Sequence, residues 1–385
     1  MSVRLTKKAD CCGCGACQQS CPKNCITMEP DGEGFLYPKV DESICVDCGL
    51  CEKVCPILSV RRSQPSAVDA YAAYVPDEQL RQCSSSGGVF SVLAKEILGR
   101  GGVIAGAAFD EDFSVRHILV EKDEDMNRLR GSKYVQSRME DTYIQIQSLL
   151  KQGKSVLFTG VGCQVAGLKA FLGRDYDNLY TVDVLCHGVP SPKVWKQYLA
   201  QQEQHFGAAT MAASFRDKRK GWKSFSMVLN FENQKQYHEI LDLDAYMRLF
   251  LANICLRPSC HSCRFKEFPR LSDLTIGDAW GIEKHMPDLD DDRGTSVVLA
   301  NSPKGQSLWD AVVGDLVFRP GELDILLPRD ADSRRSVKPH PNRSRFFAAL
   351  DRGKTMAQLC KLARKSPVRR LLSYGKRTLK RILHK

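Results

Sequence analysis

At 385 residues, with 43% hydrophobic and 26% charged residues, the chain is long enough for two or three globular domains with sizeable cores. No apolar leader is visible in MSVRLTKKADCCG, and no stretch reaches the roughly 18 apolar residues of a membrane span, so the 17 cysteines are read as thiols kept reduced in a cytoplasm and bound to metal, not as a secreted disulfide scaffold. The formal charge of +11 does not point to nucleic acid, because residues 361–385 carry ten Lys or Arg and no acid, leaving 46 basic against 45 acidic groups elsewhere.

In chain order the first elements are two cysteine runs of one pattern. Cys11, Cys14, Cys17 and Cys21 before Pro22 spell C-x2-C-x2-C-x3-C-P, and Cys45, Cys48, Cys51 and Cys55 before Pro56 repeat it. Three closely spaced thiolates wrap one 4Fe-4S cubane. The fourth, set apart by a proline that cannot continue the turn, reaches the other cluster. The spacing therefore assigns Cys11, Cys14, Cys17 and Cys55 to one cluster, and Cys21, Cys45, Cys48 and Cys51 to a second. Zinc needs only two C-x2-C pairs and would leave the third cysteine of each run without a task. Residues 1–60 are read as an α+β ferredoxin-like module suited to single-electron transfer, and the polar, proline-containing RRSQPSAV at 61–68 as a linker.

From 69 to 350 strand and helix patterns alternate. DAYAAYV reads as a strand, SSSGGVFSVLAKEILGRGG as a helix capped by serines, and VIAGAAF with VRHILVE as a hairpin. The helix TYIQIQSLLKQGK leads into the strand SVLFTG. A helix then begins near Cys163, the strand NLYTVDVLCHG follows, and SPKVWKQYLAQQEQ is a helix with Pro192 in its first turn. Apolar strands alternating with helices predict an α/β domain with a largely parallel sheet.

Cys163 and Cys186 each follow directly on a predicted strand, at the carboxyl ends where open α/β sheets bind ligands. With the pair Cys260 and Cys263 they are expected to hold a third 4Fe-4S cluster. The alternative is buried thiols acting as small hydrophobes, or a C-x2-C pair that binds zinc or nothing. Cys12, Cys25, Cys83, Cys255 and Cys360 are left to packing, with Cys255 the substitute ligand. The turn Ser84-Ser85-Ser86-Gly87-Gly88 offers N–H groups to a phosphate, although a serine cap on a structural helix would look the same. No G-x-G-x-x-G follows a predicted strand, so a Rossmann nicotinamide site has no support. GSKYVQS at 131–137 and FRDKRKGW at 215–222 are dense in anion-binding and stacking groups, though spacing alone favours solvated loops.

The tail, 351–385, ends in Val368, Leu371, Leu372, Leu379, Ile382 and Leu383 at helical spacing, mostly opposite Arg369, Arg370, Lys376, Arg377, Lys380 and Arg381. Such a basic amphipathic helix lies on an anionic membrane surface or packs on the body.

Together these motifs carry a family resemblance. Gly87-Gly88-Val89, Ser132-Lys133-Tyr134, Gly160-x-x-Cys163-Gln164-x-x-Gly167-Leu168 and Cys186-His187-Gly188-Val189-Pro190-Ser191-Pro192 follow one another in order. Phe215-Arg216-Asp217-Lys218 with Gly221-Trp222, then Cys260-x2-Cys263, Ser272-Asp273 and Gly277-Asp278-x-Trp280-Gly281, complete the series. With the ferredoxin front, residues 1 to about 350 resemble the beta-subunit family of coenzyme F420 hydrogenase/dehydrogenase. One departure is Gly162, where the family usually has proline; it leaves the following cysteine in place.

The resemblance implies a flavoprotein-type α/β domain that binds FAD beside iron–sulfur clusters. By it, Ser85, Ser86, Gly87 and Gly88 with Ser132, Lys133 and Tyr134 become FAD contacts, and Cys163, Cys186, Cys260 and Cys263 cluster ligands. A flavin converts the clusters' single electrons into the pair that a hydride needs. The expected partners are a redox protein or ferredoxin and a small hydride acceptor, coenzyme F420 or another reducible metabolite. His187, beside Cys186, is the candidate proton donor, its alternative being a hydrogen bond near the cluster. Two other readings stay open: an electron-transfer subunit with no substrate of its own, and a redox partner of polysaccharide synthesis at the inner membrane face.

Overall fold

The computed structural model describes residue 5, residues 7–59 and residues 68–364. The linker expected at 61–68 lies outside them except for Val68, as do the amphipathic positions 368–383 of the tail.

In the first segment β1 (Ile26–Pro30) and β2 (Leu36–Val40) pair as an antiparallel hairpin, and each cysteine run enters a one-turn helix, α1 (Ala16–Gln19) or α2 (Leu50–Lys53). Gly15 (φ +74°) and Gly49 (φ +70°) immediately precede those helices in the left-handed region, which a side chain disfavours, and so fold each run back around its own thiols.

The body begins with β3 (Asp69–Tyr74), β4 (Val103–Phe109), β5 (Val115–Val120), β6 (Ser137–Arg138), β7 (Val156–Val161) and β8 (Leu179–Val184). It continues with β9 (Thr210–Asp217), β10 (Ser226–Phe231), β11 (Gln236–Ile240), β12 (Leu274–Asp278), β13 (Ser296–Ala300) and β14 (Val317–Gly321). Nine of these form one sheet in the order β14-β3-β13-β12-β8-β7-β4-β5-β6, and β11-β10-β9 form a separate antiparallel sheet. The sheet is α/β in character but mixed in direction. Its centre, β12, β8, β7 and β4, is parallel, whereas β14, β3, β13 and the β4–β5 hairpin add antiparallel flanks.

The helices are α3 (Glu78–Gln82), α4 (Val89–Gly99), α5 (Thr142–Lys151), α6 (Gly162–Leu172), α7 (Pro192–Phe206) and α8 (Ala245–Leu251), then α9 (Pro303–Val312), α10 (Leu323–Leu326), α11 (Arg343–Asp351) and α12 (Met356–Leu362). Alternation along β7 separates the sheet's two faces: Leu157 packs with α4 and α9, while Val156 and Phe158 pack with α5 and α6. Cys14 and Ala16 of the first segment join the α5–α6 layer. A third, aromatic cluster holds Trp195, Phe215 and Tyr246, and Met356, Leu359 and Cys360 of α12 are buried in it, although the sequence places them in the tail.

Arg257 fastens the first segment to this body. Buried, it donates from Nε to the Cys11 carbonyl at 2.8 Å and from Nη2 to the Leu36 carbonyl at 2.9 Å, and its guanidinium lies 4.2 Å from the Tyr37 ring centroid. Leu36 N–H in turn donates to Gln136 Oε1 at 3.1 Å.

Candidate functional site

Cys11, Cys14, Cys17 and Cys55 line a small cavity of about 20 Å³, together with Cys12. Cys21, Cys45, Cys48 and Cys51 line another of about 130 Å³, together with Cys25. These are the two sets that the spacing assigns. Burial, with Cys11 and Cys55 adding repulsion, pushes the Cys17 thiol far up, so this ring holds thiolates only beside a compensating positive group such as iron. Among the described residues no three ligand side chains converge on a single-ion site. Each set of four thiols borders one common space, as a cluster shared between the two runs would need.

A separate cavity of about 280 Å³ opens at the carboxyl ends of β7, β8 and β12. Ser85, Ser86, Gly88, Ser132, Lys133, Tyr134, Cys163, Cys186 and His187 all line it, and so reach it from four stretches of chain. Gly87 does not line it. A Cβ there would meet the Ala73 carbonyl at 2.4 Å and Ser296 N at 2.9 Å, so this glycine lets the turn pass against β3 and β13.

The serines do not cap α4, contrary to expectation. Its N-cap is Gly88 (φ +87°), with no side-chain bond to the first turn. The hydroxyls are committed elsewhere: Ser84 donates to the Leu80 carbonyl, Ser86 to the Thr295 carbonyl, and Ser85 Oγ accepts from Ser132 N–H at 2.7 Å. The helix therefore presents uncapped N–H groups where Val89 and Phe90 line the cavity. Lys133 Nζ donates to the Arg128 and Arg130 carbonyls at 2.8 and 2.9 Å, and burial holds its amine down to about 7. Tyr134 stacks on Phe250, with ring centroids 4.9 Å apart, and accepts from Arg216 Nη1 at 3.2 Å.

The other cysteines meet where β7 and β8 end. Cys163 is the second residue of α6, Cys186 follows β8, and Cys260 and Cys263 hold a short turn whose Cys260 Sγ accepts Val189 N–H at 3.3 Å. Burial pushes Cys186 up to about 11 and Cys260 up to about 12, with each thiol repelling its neighbours. The cations of Lys266 and Arg270 pull Cys186 the other way, as an anionic cluster would require. Lys266 also ties the segment together, donating to the His187 carbonyl at 2.9 Å. Cys255, read in the sequence as the substitute ligand, sits fully buried in the aromatic cluster instead.

Three residues take places that the sequence pattern did not assign to them. Cys12 hydrogen-bonds the thiols of Cys14 and Cys163, and Cys12 with Gly13 lines both the first cluster ring and the large cavity. His117 also lines the large cavity, with Nε2 3.1 Å from the Thr159 carbonyl and Nδ1 2.7 Å from Ser137 Oγ; the carbonyl makes Nε2 the protonated nitrogen. Asp278 receives both Arg216 Nη atoms, at 3.0 and 2.8 Å, and Trp222 Nε1 at 2.8 Å. Arg216 and Lys218, read in the sequence as part of a basic loop, are thus buried struts. Lys218 Nζ reaches the carbonyls of Arg81, Ser86 and Arg293. His187 has both ring nitrogens engaged: Nε2 lies 2.6 Å from Asn253 Oδ1, Nδ1 lies 3.6 Å from an Asp332 carboxylate oxygen, and burial lowers its proton affinity.

Comparison with known proteins follows this layout. Residues 70–142 match the family model described as coenzyme F420 hydrogenase/dehydrogenase, beta subunit N-term, and residues 153–323 match that of the same subunit's C terminus. Residues 10–57 match a 4Fe-4S dicluster domain. No curated protein matches the chain. Among solved structures, a chain of the F420-reducing [NiFe] hydrogenase complex from Methanosarcina barkeri is similar at a TM-score of 0.44 and 18% identity, over 74% of this chain and 88% of that one. No helix among the described residues is long and apolar enough to cross a membrane.

Proposed function

The chain belongs to the coenzyme F420 hydrogenase/dehydrogenase beta-subunit family and carries a 4Fe-4S dicluster domain, and from there we propose that it is an FAD-dependent oxidoreductase moving electrons between its clusters and a small hydride acceptor. The observation that carries the reading is the shared wall: Cys12 and Gly13 border both the first cluster ring and the large cavity, into which Cys163 and Cys186 also open. Cluster thiols thus stand beside a space lined by the uncapped start of α4.

In this reading Cys163, Cys186, Cys260 and Cys263 hold a third 4Fe-4S cluster between the ferredoxin module and the cavity. FAD, when bound, supplies the conversion between single electrons and a hydride. The N–H groups at the start of α4 bind its phosphates through the positive end of the helix dipole. The Ser85–Ser132 bond fixes the turn beneath them. Lys133 lines the cavity with an amine that burial holds down to about 7, and would supply the proton that the acceptor takes up. His187 holds the loop after Cys186 through Asn253. The acceptor, coenzyme F420 among the candidates, and a redox protein or ferredoxin that exchanges electrons with the module are the partners.

Anaerobic purification with iron, sulfide and flavin quantitation on one sample tests this. About twelve irons and one FAD are expected, at four irons per cluster. About eight irons and no flavin would leave an electron-transfer subunit without a substrate of its own.

A further inference from the structure

We propose that Cys25 is a reserve ligand of the second cluster, able to replace Cys21 on the same iron. The proposal rests on the reading that Cys21, Cys45, Cys48 and Cys51 hold that cluster. Cys25 belongs to neither C-x2-C-x2-C-x3-C-P run. Its side chain is nevertheless 6% exposed, lines the same cavity of about 130 Å³, and places Sγ 3.3 Å from Cys21 Sγ. It hydrogen-bonds the Cys45 thiol as well. Five thiols therefore ring a space that needs four.

The backbone explains why the fifth is held in place. Asn24, in the left-handed region at φ +50°, closes a turn in which its N–H donates to the Cys21 carbonyl at 3.1 Å, bringing the next side chain back over Cys21. The Cys25 carbonyl accepts Asp41 N–H at 2.8 Å, which pins the residue to the start of the β1–β2 ladder. Cys21 is the resting ligand, because it closes the C-x2-C-x2-C-x3-C-P run to which Cys25 does not belong. Cys12, the spare thiol beside the first ring, is shared between Cys14 of that ring and Cys163 and is not equivalent.

The exchange balances without an oxidant or reductant. As the iron–sulfur bond to Cys25 forms, the bond to Cys21 breaks, and the Cys25 thiol proton passes to the departing Cys21 sulfur. Cluster charge and electron count do not change. Loss of Cys21, by substitution or damage, then leaves the cluster in place.

The test uses the full chain purified anaerobically as wild type, Cys21→Ala, Cys25→Ala, Cys48→Ala and the Cys21→Ala/Cys25→Ala double variant. Iron and sulfide are counted, and the electron paramagnetic resonance of the reduced protein is recorded. Cys21→Ala is expected to keep the wild-type iron count with an altered second-cluster signal, and Cys25→Ala to match wild type. The double variant loses about four irons while the first-cluster signal persists. Cys48→Ala, at a thiol that Cys25 does not hydrogen-bond, also loses about four irons, so the contrast with Cys21→Ala decides the matter even if the double variant does not fold. A Cys21→Ala chain that loses as much iron as Cys48→Ala overturns the proposal. A wild-type chain short of the second cluster defeats the underlying reading first, and is recognised before any variant is made.

Discussion

His117 is neutral in the folded chain because its ring is buried between the Ser137 hydroxyl and the Thr159 carbonyl, and burial lowers its proton affinity to about 4. An unfolded histidine titrates near 6.5, so between the two values the unfolded chain binds more protons. The stability that depends on a neutral ring is complete above about pH 6.5 and is lost as pH falls toward 4, at a cost of about 3 kcal/mol. His117→Gln should flatten this acid limb, read as the difference in unfolding midpoint between pH 7 and pH 4.5. Parallel losses in wild type and variant would show that other groups set it. The cluster cysteines were legible at this scale because their coordination is written in spacing a few residues long. Cys12 and His117 were not, since one gains its place from Cys163 and the other from Ser137 and Thr159, all distant in sequence. Arg216 and Lys218 misled for the opposite reason. A run of basic residues looks solvated until Asp278 and three carbonyls turn up beneath it. Lys218→Met should destabilise the chain by about 3 kcal/mol, because it strips buried carbonyls of a charged donor; a midpoint within error of wild type would mean that those carbonyls find other donors.

At the two ends of α4, two glycines make opposite demands. Gly99 near the helix end has nothing within 4 Å of an added Cβ, so Gly99→Ala should raise stability by about 0.5–1 kcal/mol through helix propensity and a less flexible unfolded chain. Gly87 before the helix meets backbone atoms of Ala73, Tyr74 and Ser296 within 3.0 Å of an added Cβ, and backbone cannot rotate away. Gly87→Ala should cost about 1–3 kcal/mol by overpacking. It should also lower retained flavin, since the displaced turn carries the first N–H groups of the helix. A Gly87→Ala chain with wild-type midpoint and flavin content would remove the turn from the site. The sequence pattern showed α4 and its flanking strands but not how the sheet runs. β12 passes to its antiparallel neighbour β13 through 3-10 turns with no α-helical crossover, and apolar strands read alike whether their neighbours run parallel or antiparallel.

At the scale of the whole molecule, electron transfer requires the ferredoxin module to sit at one fixed distance from the large cavity, and Arg257 links the two. Its guanidinium bonds the Cys11 and Leu36 carbonyls and stacks on Tyr37, while its own backbone N–H donates to the Val189 carbonyl beside the Cys186 loop. A buried positive charge next to the Cys11 ring also favours electrons on the first cluster, because each added electron makes that cluster more negative. Arg257→Met removes both effects, so the first cluster's midpoint potential should fall and, on the proposed function, electron delivery from the clusters to FAD should slow because the module is no longer held in place, with iron content unchanged. Arg257→Lys keeps a charge but cannot bond two carbonyls and stack at once, so it should restore most of the potential and less of the rate. A redox titration followed by electron paramagnetic resonance, paired with rapid-mixing reduction of the flavin, separates the two contributions. If Arg257→Met left both potential and rate at wild-type values, electrons would have to reach the cavity by a route other than the wall formed by Cys12 and Gly13.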